Sequence, residues 1–329
     1  MAKRIANRRV IVGSWPKDAD GRRRVAVALP ALNEAKSIVA SVAALLGQGS
    51  QCSGALALSV HVLVNNCFDE TAEILRKQFR GHPALEICEV SLLAPFAHAG
   101  GARRLAMDMA AEALSAPDDL VLSTDADTVV APDWLTRMLP YFDAGCDAVA
   151  GRAILRSSEL AKLTEEQRRR LLTLRKYQIL LEYLRRFRAG AGDAWPNHAY
   201  EGGASLALTL RMYRAAGGCP VLPVGEDRAL FDAVRRAGGR VRHATDVKVY
   251  TSGRTNGRAV GGMADTIGRW LLQAGGEPIH ETWPLNAELG HVAKSASAML
   301  TFDALPAELA RAQNLAQASR GSARLEMSA

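Results

Sequence analysis

The sequence predicts an α/β fold: a mostly parallel sheet flanked by helices, with a helical C-terminal extension. Three observations carry this expectation. From residue 25 onward, strand-length apolar runs alternate with helix-length amphipathic segments, the pattern of strands joined by helical crossovers. Three of those runs end in polar turns, at residues 30–34, 65–71 and 124–128, as the ligand-binding carboxyl edge of such a sheet requires. Beyond residue 259 the apolar spacing becomes helical, with a polar, Ala-rich end.

In chain order, residues 1–24 are basic and turn-rich and read as a loosely ordered leader. VAVALPALNEAKSIVASVAALL (25–46) is a strand that breaks at Pro30 and continues as a helix. SVHVLV (59–64) is a second strand, followed by the helix TAEILRKQF (71–79). LEICEV (85–90) leads through a Gly-Gly loop into the helix ARRLAMDMAAEAL (102–114), and DLVLST (119–124) leads into paired aspartates. Residues 158–188 read as one long helix, Arg-rich on one side and Leu/Ile-rich on the other. A Gly- and aromatic-rich loop (190–205) follows, then a helix opening on GED (225–227) and an extended stretch, 241–258. The chain thus divides into a leader (1–24), a main domain (25–258, with halves 25–130 and 131–258) and an extension (259–329).

Composition narrows the function classes. A net charge of +7 favours anionic partners without choosing among them. Arginines are not interleaved with exposed aromatics, so nucleic-acid binding is not expected. The five cysteines (Cys52, Cys67, Cys88, Cys146, Cys219) are scattered with no CxxC pair, which argues for free thiols in a reducing compartment. No apolar run approaches the ~18 residues of a membrane span, and the basic N-terminus lacks a secretory pattern. The expected location is cytoplasmic, with no transmembrane segment. The basic helix at 165–188 offers either a solvated face or peripheral contact with an anionic membrane.

Asp125 and Asp127 flank a small Ala126 at the end of an apolar run. Carboxylates this close raise each other's pKa, a cost that a cation removes. A hard divalent ion, Mg2+ or Mn2+, takes one or two carboxylates and completes its shell with phosphate oxygens and water. The alternative is a solvated loop end.

PALNE (30–34), NNCFDET (65–71), TDADT (124–128) and GED (225–227) occur in that order, three of them directly after strands. This ordered set resembles the family 2 glycosyltransferases, inverting enzymes of the GT-A nucleotide-diphospho-sugar transferase fold, over roughly residues 25–255. The resemblance implies a nucleotide-binding half (25–130) and an acceptor half (131–258). Pro30, Asn33 and Glu34 would line the nucleotide pocket, and Asn65 and Asp69 would meet base and ribose. Many members carry acids where Asn65 and Asn66 stand. Arg103 would approach the donor, Asp125 the ribose or the metal, and Asp127 the metal bridging the donor diphosphate. Asp227 matches the general base. Glu226 and the small-residue loop at Gly202 and Gly203 would lie at the acceptor, with Trp195 and His198 as acceptor-stacking or hydrogen-bonding candidates. Arg254 and Arg258 would close over the diphosphate.

The implied reaction is metal-dependent transfer of one sugar, with inversion, from a nucleotide-diphosphate sugar to a hydroxyl on a small molecule, glycan or lipid. Of the signature that processive synthases carry, only Arg269-Trp270 remains, so polymerisation is not expected. Two other readings stand beside it. A sugar nucleotidyltransferase would need a Gly-rich phosphate loop after the first strand, where ALPALNEAKS holds no glycine. A non-catalytic nucleotide-sugar-binding module would not need both Asp127 and Asp227.

Overall fold

The computed structural model describes residues 5–12, 22–51, 56–189, 196–198, 200–254 and 263–326. The chain forms two compact units, one of residues 1–156, 200–252 and 257–262, the other of residues 157–199, 253–256 and 263–329.

Among the described residues the first unit holds a nine-stranded sheet in the order β1-β4-β3-β2-β5-β8-β7-β9-β6. Its strands are β1 (Ile5–Val12), β2 (Arg23–Ala31), β3 (Leu56–Asn65), β4 (Leu85–Leu92), β5 (Leu120–Ser123), β6 (Val129–Val130), β7 (Ala148–Leu155), β8 (Leu206–Thr209) and β9 (Val241–Thr251). Strands β4, β3, β2 and β5 are mutually parallel, as the alternation predicts. The other half is mixed, because β8 lies antiparallel to both β5 and β7. From β2 the chain steps outward to β3 and β4, then returns to β5 on the other side of β2. That reversal makes a switch point between the carboxyl ends of β2 and β5, where such sheets open a crevice.

Residues Val25 to Leu29 of β2 are all fully buried, because helices cover both faces. Val25, Val27 and Leu29 pack with α1 (Ile38–Leu46) and, through Trp134 and Met138, with a helix at Trp134–Asp143; Ala26 and Ala28 pack with a helix at Ala99–Glu112. In chain order the helices that matter to the site are α1, α2 (Thr71–Gln78), α3 (Ala99–Glu112), α4 (Trp134–Asp143) and α5 (Glu226–Arg236). Pro30 does not end β2, which pairs with β3 as far as Ala31. Its partner β5 stops opposite Ala28, so the absent proline N–H falls where no neighbour asks for it.

Two other expectations are corrected. Within the stretch read as a loose leader, Ile5–Val12 pairs antiparallel with β4 as the edge strand β1. The helix read across 158–188 is broken: a short turn at Ser157–Leu160 precedes the long helix Glu165–Ala189. The restart is a capping box, in which Thr164 Oγ1 accepts from Gln167 N at 3.2 Å and Gln167 Oε1 accepts from Thr164 N at 3.0 Å.

In the second unit, the helices Glu165–Ala189 and Leu305–Glu326 pack through Leu174, Tyr177, Leu181 and Leu184 against Leu305, Ala312 and Ala316. The spacing of those four residues is a coiled-coil seam. Contacts therefore group residues 157–199, this helix included, with residues 263–329 in one unit. No helix among the described residues is long and apolar enough to cross a membrane. Cys67, Cys88, Cys146 and Cys219 are free thiols; Cys52 and Arg258 lie outside the described residues.

Candidate active site

The turns after β2 and β3 are laced together. Asn33 and Asn66 both adopt left-handed backbone (φ 54° and 51°), which asparagine tolerates better than most residues. Asn33 Oδ1 accepts from Phe68 N at 3.0 Å, and Asn33 N donates to Cys67 Sγ at 3.1 Å. Asp69 accepts from Ala35 N at 3.1 Å and from the Thr71 amide at 3.0 Å, and Thr71 Oγ1 accepts from Glu34 N at 2.8 Å. Burial works against the Asp69 charge, but the Thr71 hydroxyl and these amides outweigh it and hold the carboxyl below its ordinary range. The Glu34 side chain is buried and accepts from Ser37 Oγ at 2.6 Å. Pro30, Asn33, Glu34, Asn65 and Asp69 thus gather at one stretch of the sheet edge, with polar side chains spent largely on shaping it. Asn66 is wholly structural: its amide exchanges two hydrogen bonds with the Leu92 backbone.

A second group forms around Arg103, on α3. Its side chain is 8% exposed. Nε donates to Glu226 Oε1 at 2.9 Å and Nη2 to Asp125 Oδ1 at 2.7 Å. Nη1 donates to Ser123 Oγ at 3.0 Å and to the Gly203 carbonyl at 3.2 Å. Burial opposes the charge, but Asp125 and Glu226, with Asp227 beyond, more than offset it and hold the guanidinium well above the ordinary arginine range. One planar fork therefore joins the aspartate after β5 to the acid that opens α5, more than a hundred residues on.

Gly225 makes that junction possible. At φ 78° it turns the chain into α5, so that Glu226 points inward to Arg103 and the half-buried Asp227 faces the loop before β8. Asp227 Oδ2 accepts from Gly203 N at 2.8 Å and Oδ1 from its neighbour Arg228 N at 2.8 Å. Gly203 is thus bonded to Asp227 through its amide and to Arg103 through its carbonyl. The loop is anchored by Thr124 Oγ1 donating to Ala204 O (2.7 Å) and Trp134 Nε1 donating to Ser205 Oγ (2.9 Å). A Cβ added at Gly203 would lie 2.1 Å from Arg103 Nη2, and the guanidinium has no room to yield. Gly203→Ala should cost about 1–3 kcal/mol of stability by overpacking, read as a lowered midpoint in thermal unfolding; an unchanged midpoint would mean that the fork is not rigid.

The Asp127 carbonyl accepts from Arg156 Nη2, which holds the aspartate turn from the end of β7. Of the other expected residues, Glu226 serves Arg103 from a buried position. His198 is buried and belongs to the second unit, and Trp195 lies outside the described residues. Two participants escape the sequence reading: Ser123, which ends β5 against Arg103, and Tyr200, whose phenol packs on Gly202. Tyr200 stands two residues before the Gly pair, which is the one signal that marks it. Among the described residues no three His, Cys, Asp or Glu side chains converge as a metal cluster. A separate cavity of about 320 Å3, lined by Arg23, Asp118, Asp143, Cys146 and Arg211, opens at the strand starts, on the opposite edge from these acids.

The model of glycosyl transferase family 2 matches residues 26–205, more than half of the 329-residue chain. By structure the chain is similar to a mannosyltransferase from Pyrobaculum calidifontis in complex with GDP-Man and Mn2+, with 20% identity and a TM-score of 0.52, over 94% of this chain and 80% of that one. It is also similar to glucosyl-3-phosphoglycerate synthase from Mycobacterium tuberculosis in complex with Mn2+, UDP and phosphoglyceric acid, with 19% identity and a TM-score of 0.42, over 77% and 78% of the two chains. No curated protein sequence matches.

Proposed function

The chain belongs to glycosyl transferase family 2 and has the GT-A fold, and from that premise we propose a metal-dependent, inverting transfer of one sugar from a nucleotide-diphosphate sugar to an acceptor hydroxyl, with Asp227 as general base. The acceptor class is a small molecule, a glycan or a lipid. The observation that carries this reading is the Arg103 fork, because it brings the acid after β5 and the Glu226–Asp227 pair to one place.

Inversion needs an acid on each side of the sugar. The acceptor oxygen attacks the anomeric carbon from the face opposite the diphosphate, the bond to the diphosphate oxygen breaks, and Asp227 takes the hydroxyl proton as the new bond forms. Amides at both carboxylate oxygens fix the direction in which Asp227 presents its charge. On the other side, Asp125 has given an oxygen to Arg103. Asp127, its turn held by Arg156, is the residue to hold Mg2+ or Mn2+. A site with one or two carboxylates and no third ligand suits a hard cation that takes phosphate oxygens and water for the rest of its shell. Bound there, the ion would neutralise charge on the departing diphosphate.

Thermal unfolding against UDP-, GDP-, dTDP- and ADP-sugars, with and without Mn2+, tests this. One donor at a hundredfold its Kd should stabilise the protein by about 2.7 kcal/mol, roughly 5–10 °C for a unit of this size, and only with the metal present. Asp127→Ala should abolish the shift. No stabilisation by any donor would count against the reading.

A further inference from the structure

Three loops at the carboxyl edge of the sheet leave apolar side chains bare. Phe68, in the turn after β3, is 90% exposed. Leu93, Ala94 and Pro95, just after β4, are consecutive exposed residues. So are Leu222, Pro223 and Val224, which lead into Gly225 at the start of α5. Among the described residues of the first unit, one other large apolar side chain is exposed, Tyr250 on β9.

These loops touch in succession. Asn66 exchanges two hydrogen bonds of 3.0 Å with the Leu92 backbone, which joins the turn of Phe68 to the loop of Leu93. A Cβ added at Gly101 would lie 2.1 Å from the Phe96 carbonyl oxygen, and one added at Gly100 would lie 2.1 Å from that of Leu222. The loops of Leu93 and Leu222 therefore both close on the first turn of α3. Arg104, on the same helix, donates to the carbonyls of Gly217 at 2.9 Å and Cys219 at 3.2 Å, and Phe68 N is fixed by Asn33 Oδ1. The result is one rim whose backbone is tied down and whose side chains are bare.

Contiguous apolar exposure of this kind marks an interaction surface. What covers it follows from how the side chains stand and from charge. Phe68 has almost no neighbour on its own fold, so no pocket wall stands ready to share with the side chain of a partner protein. A fluid hydrocarbon phase needs none, because it closes around each tip. On the segments that carry and flank the rim (33–36, 66–70, 93–98 and 220–228) the exposed charged residues are Lys36 and Arg228 against Glu70. The whole chain carries +7, the sign that anionic headgroups attract. Phenylalanine and leucine tips with cations beside them suit the boundary between headgroups and acyl chains.

We infer that this rim is a membrane-docking surface: Phe68, Leu93, Leu222 and Val224 enter the acyl boundary of an anionic bilayer, with Lys36 and Arg228 at its headgroups. Val224 stands three residues before Asp227, so the docked bilayer borders the acidic side of the site. The docking does not depend on the proposed reaction, and it uses a different surface from the basic helix Glu165–Ala189, which belongs to the other unit.

Co-sedimentation of the full chain with phosphatidylcholine vesicles, with and without about 30% phosphatidylglycerol, tests this. Wild type is compared with Phe68→Ser and with the double variant Leu222→Ser, Val224→Ser. All three replaced side chains are exposed, so thermal midpoints should agree within about 2 °C. Wild type should bind the anionic vesicles more tightly than the neutral ones. Phe68→Ser should lower its partition coefficient about 10-fold or more, and the double variant likewise. Variants that bind as the wild type does would overturn the inference, since charge elsewhere, the basic helix included, would then carry the binding. Wild type that stays in the supernatant with both vesicles overturns it too. So does a wild-type dimer in sedimentation equilibrium that Phe68→Ser dissolves, which would assign the rim to a second copy of the chain. Stabilisation by a nucleotide-sugar donor, measured on the same three proteins, reports on the proposed reaction whichever way the vesicles decide.

Discussion

Asp227→Asn should bind a nucleotide-sugar donor as the wild type does and transfer sugar roughly 10²–10⁴ times more slowly, the usual contribution of a general base. Asparagine has the same shape but takes no proton. Its cost in stability is calculable from the contacts. Both Asp227 oxygens accept from backbone amides, Gly203 N and Arg228 N. The asparagine oxygen can keep one of them, while its NH2 group must face the other, so about 1 kcal/mol should be lost. The loss is too small to unfold the domain, and the kinetic defect can be read cleanly. Glu226→Gln provides the contrast. Glu226 is 5% exposed and pairs with Arg103, so its replacement should lower the unfolding midpoint more than Asp227→Asn does. Steady-state kinetics of both variants with a labelled donor decide the matter. Normal turnover by Asp227→Asn would remove Asp227 from the chemistry, whatever its position.

The acids themselves were legible in the sequence; what joins them was not. Alternating apolar runs and helices, with polar turns on one edge, suffice to find β2, β3, β4 and β5, because each strand is a contiguous string whose period differs from that of the helix after it. Strand direction is not encoded that way. LALT (206–209) is a short apolar segment in the sequence, and only the paired registers reveal a strand, β8, that runs antiparallel to β5 and β7. The edge strand β1 escapes for a related reason, since its partner, β4, lies some eighty residues away and its own residues mix apolar with basic. At GED the sequence presents two adjacent acids without saying which points inward; the left-handed Gly225 decides it. Arg103 and Arg104 are equally ambiguous. Arg104 pairs with Asp108 one turn along its own helix, as spacing alone suggests. Arg103 instead reaches side chains at the end of β5 and the start of α5, and the backbone carbonyl of Gly203.

That reach makes Arg103 the most consequential single residue for stability. Arg103→Met removes a buried cation and leaves Asp125 and Glu226 facing each other without it. Breaking a buried pair from one side typically costs about 3–5 kcal/mol, so the midpoint of thermal unfolding should fall by roughly 10 °C for a unit of this size. Arg103→Lys should rescue little, because a single ammonium cannot span acceptors that the planar guanidinium reaches from Nε, Nη1 and Nη2 together. The double variant Arg103→Met, Glu226→Met is the informative partner. If the cost of the single variant is that of an uncompensated buried carboxylate, removing Glu226 as well should return part of the lost stability, since an apolar pair of similar volume is often tolerated in place of an ion pair. The coupling between the two substitutions, taken from a complete cycle of unfolding free energies, should then exceed about 1 kcal/mol. Additive losses would mean that the fork is held by Ser123, Gly203 and Asp125 alone, and that Glu226 is a bystander to it. A single variant within about 2 °C of the wild type, against the 2–4 °C expected per kcal/mol, would dismantle the bridge on which the shared acidic site depends.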